Sequence, residues 1–377
     1  SAVNEFMQTE FNRSFTSLQD MRRFIDEHYA QQREEMAKLG RVRRLVEEWK
    51  QRVGKDYRDF SSAYLSRCKV VGATCLGVAS KGDISELEFD WVIVDEAGKA
   101  THPELLVPIV RGRKIVLVGD HRQLPPTISR DLDEAIKSEG LRREVLETSL
   151  FQELMLASAE AVKLPLTVQY RMHPGIGTLI GKCFYPDVGL ENGVDAADRQ
   201  HGLSWCSRAV VWYSTKRLPK HEEAVSGHSR LNQAEVDAVT ALLDRIEAAY
   251  AASKVYDKTI GVITGYLAQK AALRQRIAAR KDRLPHIQDI EVNTVDAYQG
   301  RERDIIIYSV VRSNPKAKIG FLRDERRLNV ALSRARELLI IIGDEEIEFA
   351  DVRGGNPFHV VINHIRKNPA QCALEAL

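Results

Sequence analysis

Apolar residues near the N-terminus recur at steps of three and four, from about residue 10 to residue 60. Such spacing predicts one or two long helices with an apolar seam, as in a helical hairpin or a coiled coil. Gly40 predicts a break between two antiparallel arms, because glycine weakens a helix. The seam consists of Leu18, Met21, Ile25, His28, Leu39, Val42, Val46, Trp49 and Val53.

Short apolar runs of strand length follow this helical region. Residues 92–94 and 115–118 are rich in valine and isoleucine, and each run ends in a polar loop. Runs that are apolar on both faces predict central strands of a parallel sheet. Residues 68–75 predict a further strand before them.

The second half of the chain repeats this alternation after a predicted strand at 162–166 and a Gly- and Asp-rich loop at 185–202. Alternating strands and helices imply a second parallel α/β domain, and we place its boundary near Leu164. The predicted strands are 209–213, 259–263, 290–293, 305–311 and 338–342, and the predicted helices are 232–250 and 268–280.

Composition narrows the class of protein. The chain has 377 residues, of which 44% are hydrophobic and 29% are charged, which is typical of a globular protein with room for two domains. No apolar run approaches a membrane span, and the first residues lack the pattern of a signal peptide. Five scattered cysteines without CxxC spacing argue against a structural metal and favour a reducing compartment. We therefore expect a cytoplasmic protein, or a nuclear one if the source is eukaryotic, with no membrane partner.

The net charge of +2 does not by itself identify a nucleic-acid-binding protein. Basic residues are concentrated at 33–58, 274–283 and 323–336. These clusters fit either a surface that binds phosphates or ordinary solvated helix faces.

The candidate chemistry lies where the two predicted central strands end. Ligands of an open α/β sheet bind outside the carboxyl ends of its strands, where Asp95, Glu96, Asp120 and Gln123 fall. Adjacent carboxylates suit Mg²⁺-assisted phosphoryl transfer, with Asp95 on the metal and Glu96 orienting or deprotonating water. The Gln123 amide can contact a γ-phosphate and that water together. A lone Asp-Glu pair is also common at helix N-termini, so this reading depends on the motifs that follow.

Two further motifs carry arginines. Arg171, in a Gln-Tyr-Arg triplet, and Arg334, in the sequence RRLNVALSRAR, suit neutralisation of a transferring phosphoryl group. Tyr170 suits stacking on a base, or packing at a domain edge. In the sequence VNTVDAYQGRERD, Gln299 and Glu302 flank Gly300, where the backbone can approach a ligand closely.

With these motifs in order, the chain resembles superfamily 1 helicases, in particular the branch that contains the nonsense-mediated-decay RNA helicase. The resemblance covers roughly residues 68–345. The matching motifs are VIVDEAG, VLVGDHRQLPP, LTVQYRMHP, IGVITGY, VNTVDAYQGRERD and RLNVALSRAR.

This resemblance implies an α/β fold with two RecA-like domains, the first incomplete, and an N-terminal helical stalk. The implied domains are a stalk or arm at 1–66, the end of the first motor domain at 67–164, the second motor domain at 165–360, and a C-terminal helix or tail at 361–377. The implied activity is ATP-driven movement, 5′ to 3′, along single-stranded RNA or DNA.

The resemblance also assigns roles to individual residues. Glu96, Gln123, Arg171 and Arg334 would be catalytic, the two arginines as arginine fingers, and Asp95 would hold Mg²⁺. Asp120, Tyr170, Gly300 and Glu302 would face ATP, with Tyr170 near the base and Glu302 on the ribose. Thr264, Thr294 and Gln299 would contact the nucleic acid, although Gly265 replaces the proline common in the family at that position.

No GxxxxGK[ST] phosphate-binding loop occurs in the sequence, and the nearest approximations, 54–56 and 81–83, lack its glycine spacing and hydroxyl. We expect an N-terminal segment that carries this loop to be missing from the chain, which would leave the chain alone inactive. The alternative is a nucleic-acid-binding scaffold that keeps the motor fold without hydrolysis.

Overall fold

A computed structural model describes residues 8–9, 13–55, 64–65, 67–80, 84, 87–128, 136, 138–140, 146–316 and 318–377. The chain divides into two compact units, one formed by 1–92 with 107–114 and the other by 93–106 with 115–377. All of the predicted site residues belong to the second unit. The predicted boundary near Leu164 remains a prediction.

A single helix dominates the first unit. Helix α1, Leu18–Lys55, is 38 residues long and runs through Gly40 without a break. Of the one or two predicted helices, a single helix is therefore found within this range, without the break at Gly40. One interior glycine costs a helix about 1 kcal/mol relative to alanine, which is too little to end it among strong helix formers. The described seam residues Leu39 and Trp49 are 63% and 59% exposed. The side chain of Val53, the basic positions beyond 55, and residues 56 and 81–83 lie outside the described part.

The first two strands differ from the prediction. Strands β1, Phe89–Val94, and β2, Gly112–Leu117, pair in a two-stranded sheet instead of lying at the centre of a larger one. Among the described residues no other strand flanks this pair, and Ile93 is 68% exposed. Residues 68–75 are not a strand for the same reason, since a strand needs hydrogen-bonded neighbours. Helix α2, Cys75–Ser80, begins where that strand was expected to end.

The second unit is built on a parallel sheet of six strands, counted over the described residues. Its strands are β5 (Val210–Ser214), β8 (Thr259–Thr264), β9 (Asp289–Thr294), β10 (Arg303–Ser309), β11 (Ala335–Gly343) and β12 (Cys372–Ala376). They lie in the order β12-β5-β11-β10-β8-β9, and all five pairings are parallel. The predicted α/β domain is therefore confirmed.

Helices cover both faces of this sheet, which explains why its central strands are apolar on both sides. One face packs against α6, Gln233–Ser253, and α7, Leu267–Ala278. The other packs against α5, Pro174–Phe184, and α9, Glu325–Leu332, together with α10, Pro357–Lys367. The remaining helices are α3 (His102–Ile109), α4 (Leu150–Ala157) and α8 (Val295–Tyr298), and the remaining strands are β3 (Val168–Gln169), β4 (Glu191–Asn192), β6 (Ala224–Ser226) and β7 (Ser229–Leu231).

The segment 361–377, predicted as a C-terminal helix or tail, contains the end of α10, which packs on the sheet, and β12, which pairs with β5 as an edge strand. The strand predicted at 162–166 is absent, and the chain there forms a short 3-10 turn at Glu160–Val162 with exposed apolar residues after it. Strand formation starts only at β3, which pairs with β4 inside the predicted loop. None of the described helices has the length and apolar character needed to cross a membrane.

Candidate active site

Two strand-end loops hold the acidic residues, and their backbones are in direct contact. The Val118 N–H donates to the Val94 carbonyl at 2.8 Å, and the Ala97 N–H donates to the Val118 carbonyl at 2.9 Å. A Cβ atom on Gly119 would lie 2.8 Å from the backbone nitrogen of Gly98. Both loops therefore need glycine, and the contact fixes the predicted acidic residues on neighbouring turns.

Asp95 and Glu96 are both exposed at the end of β1. Asp95 Oδ1 accepts from the Glu96 N–H at 2.9 Å, and Glu96 has a left-handed backbone with φ of 54°. Such a conformation costs energy outside glycine and is often found at functional sites. The described residues contain no group of three acidic, histidine or cysteine side chains able to hold a metal. One exposed carboxylate nevertheless fits Mg²⁺, which is usually held by one or two carboxylates together with water and phosphate.

Asp120 joins several side chains. Its Oδ1 accepts from the Arg122 N–H at 2.9 Å, and its Oδ2 accepts from Gln123 Nε2 at 2.9 Å and from the Tyr185 hydroxyl at 2.5 Å. Burial, with the neighbouring Asp120 charge, raises the pKa of Tyr185, so its hydroxyl remains a donor. Asn329 Nδ2 donates to the same hydroxyl at 2.7 Å.

Gln123 lies next to Arg334, one of the two predicted arginine fingers. Arg334 Nη2 lies 3.5 Å from Gln123 Oε1, and it donates to Ser333 Oγ at 2.9 Å. The Arg334 Nε also donates to the Val330 carbonyl at 3.0 Å, and the residue is only 2% exposed. Burial first, and then the charge of Arg171, lowers the pKa of Arg334 to about 10, which still leaves it charged at neutral pH. Among the described residues, its hydrogen-bond partners Val330, Gln123 and Ser333 are neutral, and a buried cation with such partners is suited to receive an anion.

Arg171 lies in the same cluster. Its Nε donates to Glu302 Oε2 at 2.7 Å, and its Nη1 donates to the Ser333 carbonyl at 3.3 Å. Gln169 Oε1 accepts from the backbone N–H groups of Arg171 and Met172, at 3.0 and 2.7 Å. Gln169 thus fixes the loop that presents Arg171, a role the sequence motif did not reveal.

Two other predicted nucleotide contacts have structural explanations of their own. Tyr170 is 65% exposed, and its ring covers Gly193 so closely that a Cβ on Gly193 would lie 2.3 Å from the ring. Gly300 has φ of 78°, and no atom lies within 4 Å of the position its Cβ would take. Glycine at 300 is therefore explained by the left-handed turn, because the described residues leave the space at its Cβ position open.

The residues predicted to bind nucleic acid lie at the carboxyl ends of the sheet strands, whereas the arginine cluster lies at their amino ends. Thr264 and Thr294 are the last residues of β8 and β9 and face each other in register, whereas Glu302 and Arg334 directly precede β10 and β11. Gln299 follows the one-turn helix α8 that starts after Thr294. The Oγ1 of Thr264 and the Oε1 of Gln299 are buried without a hydrogen-bond partner in the described part of the chain.

Gly265 follows Thr264 at a point where a side chain would be tightly packed. A Cβ at this position would lie 3.0 Å from Leu322 and 3.1 Å from Phe321. Proline, which is common at this position in the resembled family, also carries a Cβ. Packing of the 321–322 segment therefore accounts for glycine here.

Tyr185 and Asn329 complete the site although sequence reasoning gave neither a role in it. Tyr185 begins the stretch 185–202, whose composition predicts a loop, and nothing in that pattern distinguishes Tyr185. Asn329 also donates to the Arg122 carbonyl at 2.8 Å, and the Arg122 guanidinium forms a two-pronged pair with Asp187, both bonds at 2.6 Å. These contacts join the Asp120 loop to α5 and α9.

A parallel α/β domain with two clustered arginines beside acidic strand-end loops has the arrangement that is typical of the nucleoside triphosphatase class. Two family models described as AAA domain match residues 146–346 and 4–131. The chain belongs to this family of superfamily 1 helicases, in the nonsense-mediated-decay branch.

Individual relatives agree with that assignment. The chain is 36% identical over 321 residues to the Drosophila melanogaster regulator of nonsense transcripts 1 homolog, covering 83% of this chain and 26% of the relative. It is 37% identical over 293 residues to the ATP-dependent helicase NAM7 of Saccharomyces cerevisiae, covering 76% and 28%. It is 34% identical over 281 residues to the 5′-3′ DNA helicase ZGRF1 of Mus musculus, covering 74% and 14%. The chain thus spans about a quarter, or less, of the length of these curated relatives.

A solved complex of the arterivirus nonstructural protein 10 helicase with DNA is also similar. It is 16% identical, with a TM-score of 0.30, and the match covers 76% of this chain and 57% of that one. At that score the likeness adds nothing to the assignment.

Proposed function

We propose that this chain forms part of an ATP-dependent helicase or translocase that moves 5′ to 3′ along single-stranded nucleic acid. The observation that carries the proposal is the contact between Gln123 and Arg334, extended through Ser333 to Arg171 and Glu302. It joins an acidic strand-end loop to two cations in the arrangement that phosphoryl transfer needs. The names of the relatives NAM7 and ZGRF1 support the ATP dependence and the polarity.

The acidic loop supplies the metal site and the base. We assign Asp95 to Mg²⁺, which when bound neutralises charge on the phosphates. Glu96 orients the attacking water and takes its proton, and Gln123 contacts that water and the γ-phosphate. The left-handed backbone of Glu96 sets the direction in which its side chain leaves the loop. Asp120 orients Gln123 through the 2.9 Å bond to its amide.

The arginine cluster stabilises the transition state. Arg334 is buried with neutral partners, so its charge is poorly solvated and interacts strongly with a phosphoryl group. Arg171 forms an ion pair with Glu302, which orients the arginine side chain. We assign to Glu302 a contact with the ribose as well. Tyr170 is exposed and lies near the base, and Gly300 shapes the turn that precedes Glu302.

The carboxyl ends of β8 and β9 bind the single-stranded nucleic acid in this proposal. We assign Thr264, Thr294 and Gln299 to nucleic-acid contacts, because the first two end adjacent strands and two of the three have a buried oxygen without a partner among the described residues. Contacts to phosphates do not distinguish RNA from DNA unless a group reads the 2′-hydroxyl.

The absence of GxxxxGK[ST] from the printed sequence bears on activity. Without the backbone N–H groups and lysine of that loop, no motif in the 377 residues cradles the β- and γ-phosphates. We propose that the isolated chain binds ATP weakly and does not turn it over. Steady ATPase activity of this chain, abolished by Glu96→Gln, would show that this part of the proposal is wrong.

The arginine assignment is tested in the natural polypeptide that contains this sequence. Arg334→Ala and Arg171→Ala should each lower the rate of ATP turnover by about a thousandfold, as loss of an arginine finger does. Arg276→Ala is the matched control, since that exposed arginine pairs with Asp237 on a helix surface away from the cluster. Unchanged turnover in Arg334→Ala would remove it from the site. ATP binding without any turnover in the wild type would favour the scaffold alternative.

A further inference from the structure

The loop that carries Gln123 is attached to the end of α5 through the arginine next to it in sequence. Arg122 Nη1 and Nη2 donate to the two carboxylate oxygens of Asp187, each at 2.6 Å, and Nη1 also donates to the Phe184 carbonyl at 3.0 Å. The guanidinium carbon lies 5.6 Å from the centre of the Tyr185 ring. All of these contacts lie where α5 ends.

The backbone around Arg122 is held as well. Its N–H donates to Asp120 Oδ1 at 2.9 Å, and its carbonyl accepts from Asn329 Nδ2 at 2.8 Å. Leu124 is only 4% exposed and belongs to the same core cluster as the buried face of α5. Gln123 therefore lies between two anchored residues, one held by polar contacts and the other by packing.

These anchors restrict where the Gln123 amide can point. Its Nε2 donates to Asp120 Oδ2 at 2.9 Å, and its Oε1 lies 3.5 Å from Arg334 Nη2. A separation of 3.5 Å is at the limit of a hydrogen bond, so a small shift of the loop would break this contact. Catalysis is sensitive on this scale, since a displacement of about 1 Å can lower a rate about a hundredfold.

An ordinary surface ion pair is the other explanation of the Arg122–Asp187 contact. The Asp187 side chain is 64% exposed, and exposed ion pairs contribute little to stability. A two-pronged pair, however, fixes the orientation of both groups. The bonds from Arg122 lower the pKa of Asp187 to about 2, so the pair stays charged at neutral pH. A pair that adds little stability but fixes an orientation is suited to positioning a neighbour.

We propose that the Arg122–Asp187 ion pair positions Gln123: it fixes the loop after β2 to the end of α5 and so holds the Gln123 amide beside the arginine cluster. Both members of the pair are positioning residues, since they act through Gln123 and touch neither ATP nor nucleic acid. The inference rests on the proposed function. Because α5 begins shortly after Arg171, this one helix sets the spacing between Arg171 and Gln123.

ATP turnover by the natural polypeptide that contains this sequence, with polyuridylate or oligothymidylate present, tests the positioning role. Asp187→Ala should lower kcat about tenfold and change the KM for ATP by less than about twofold. The reason is that Leu124 keeps the loop in place while the Gln123 amide is no longer oriented. Asp237→Ala is the matched control, because that aspartate is also exposed and pairs with an arginine, Arg276, on a helix surface.

A double variant shows whether the effect passes through Gln123. In a polypeptide that already carries Gln123→Ala, Asp187→Ala should cause no further loss of kcat, because the group that it positions is gone. A purely structural contribution of the ion pair would instead lower turnover by the same factor in both backgrounds.

Amide hydrogen exchange in the 377-residue chain gives a second measurement that does not depend on turnover. The N–H groups of Arg122 and Gln123 both donate to Asp120, to its carboxylate and to its carbonyl. Both should exchange faster in Asp187→Ala than in the wild type, and at the wild-type rate in Asp237→Ala. Equal exchange in Asp187→Ala and the wild type would show that the ion pair does not hold the loop.

The outcomes separate this inference from the proposed function. Unchanged kcat in Asp187→Ala, with an active wild type, would overturn the positioning role and leave the helicase assignment intact. Losses that multiply in the double variant would also overturn it, because the ion pair would then act independently of Gln123. A wild type without ATP turnover would overturn the proposed function and this inference with it. Thermal unfolding of each variant checks that it remains folded.

Discussion

Several residues of the candidate site depart from what is locally favourable. Glu96 has φ of 54°, and Arg334 is an arginine only 2% exposed. A glutamate in the left-handed region and a buried cation each cost stability, and such costs persist where the surrounding structure fixes them for a function. The backbone contacts around Gly98 and Gly119 fix the first, and Ser333 and Val330 hold the second.

Tyr185 allows a test of the network at the level of one atom. Tyr185→Phe removes a donor to Asp120 and an acceptor for Asn329. We expect it to lower the free energy of unfolding by about 1.5–3 kcal/mol, the range for hydrogen bonds to charged groups. Urea unfolding of the 377-residue chain measures the change. Tyr256→Phe should leave stability unchanged, because that ring is largely exposed. A Tyr185→Phe chain as stable as the wild type would show that the hydroxyl contributes nothing.

Residue types at strand ends could be predicted from the sequence, but the partners that orient them could not. Asp95, Asp120 and Gln123 follow apolar runs, and that pattern alone places them at one edge of a sheet. Tyr185 contacts Asp120 across 65 residues of sequence, and Gln169 acts through its own short loop. Such contacts depend on how α5 packs, which no local pattern encodes.

At the scale of elements, glycine has opposite meanings in two places. Gly40 lies in the middle of α1 with open space around it, whereas Gly119 lies against the backbone of a neighbouring loop. The sequence pattern predicts a helix break at Gly40, because the low helix propensity of glycine is considered without the long helix on either side of it. The close approach at Gly119 is set by the neighbouring strand end and becomes visible only in three dimensions.

Paired substitutions to alanine test this difference. Gly119→Ala should destabilise the second unit by about 1–3 kcal/mol, the usual cost of overpacking. The new Cβ would lie 2.8 Å from a backbone nitrogen, which cannot move away as a flexible side chain can. Gly40→Ala should increase helical ellipticity and stabilise α1 by up to about 1 kcal/mol. Urea unfolding and far-UV circular dichroism measure the two effects. Similar stability in Gly119→Ala and the wild type would show that the two loops are not in contact.

At the scale of the whole molecule, burial decides which strands the sequence predicts well. The central strands of the six-stranded sheet are apolar on both faces, and each predicted strand in the sheet is found within a few residues of its predicted ends. The apolar runs in strands β1 and β2 are also rich in valine and isoleucine, but these strands are largely exposed in a two-stranded sheet. Composition thus predicts which segments form strands, whereas the number of strands that pair with each of them depends on the rest of the structure.

The buried carboxylate of Glu235 links the stability of the second unit to pH. Burial raises its pKa to about 8, and the nearby charges of Asp344 and Glu223 contribute to that rise. Between the ordinary carboxyl pKa and about 8, the folded state holds a proton that the unfolded state has lost. The free energy of unfolding should therefore be highest at low pH and fall as pH rises, by at most about 1.4 kcal/mol per pH unit from this group.

Glu235→Gln removes this titration while keeping a side chain that can accept from the Val311 N–H. We expect the free energy of unfolding of this variant, measured by urea at several values from about pH 5 to about pH 8, to depend less steeply on pH than that of the wild type. Glu160→Gln is the control, because that carboxylate is 90% exposed and should leave the slope unchanged. Equal slopes in Glu235→Gln and the wild type would mean that Glu235 is ionised in the folded protein at neutral pH. Its bonds to Ser309 and Val311 would then outweigh the cost of burial.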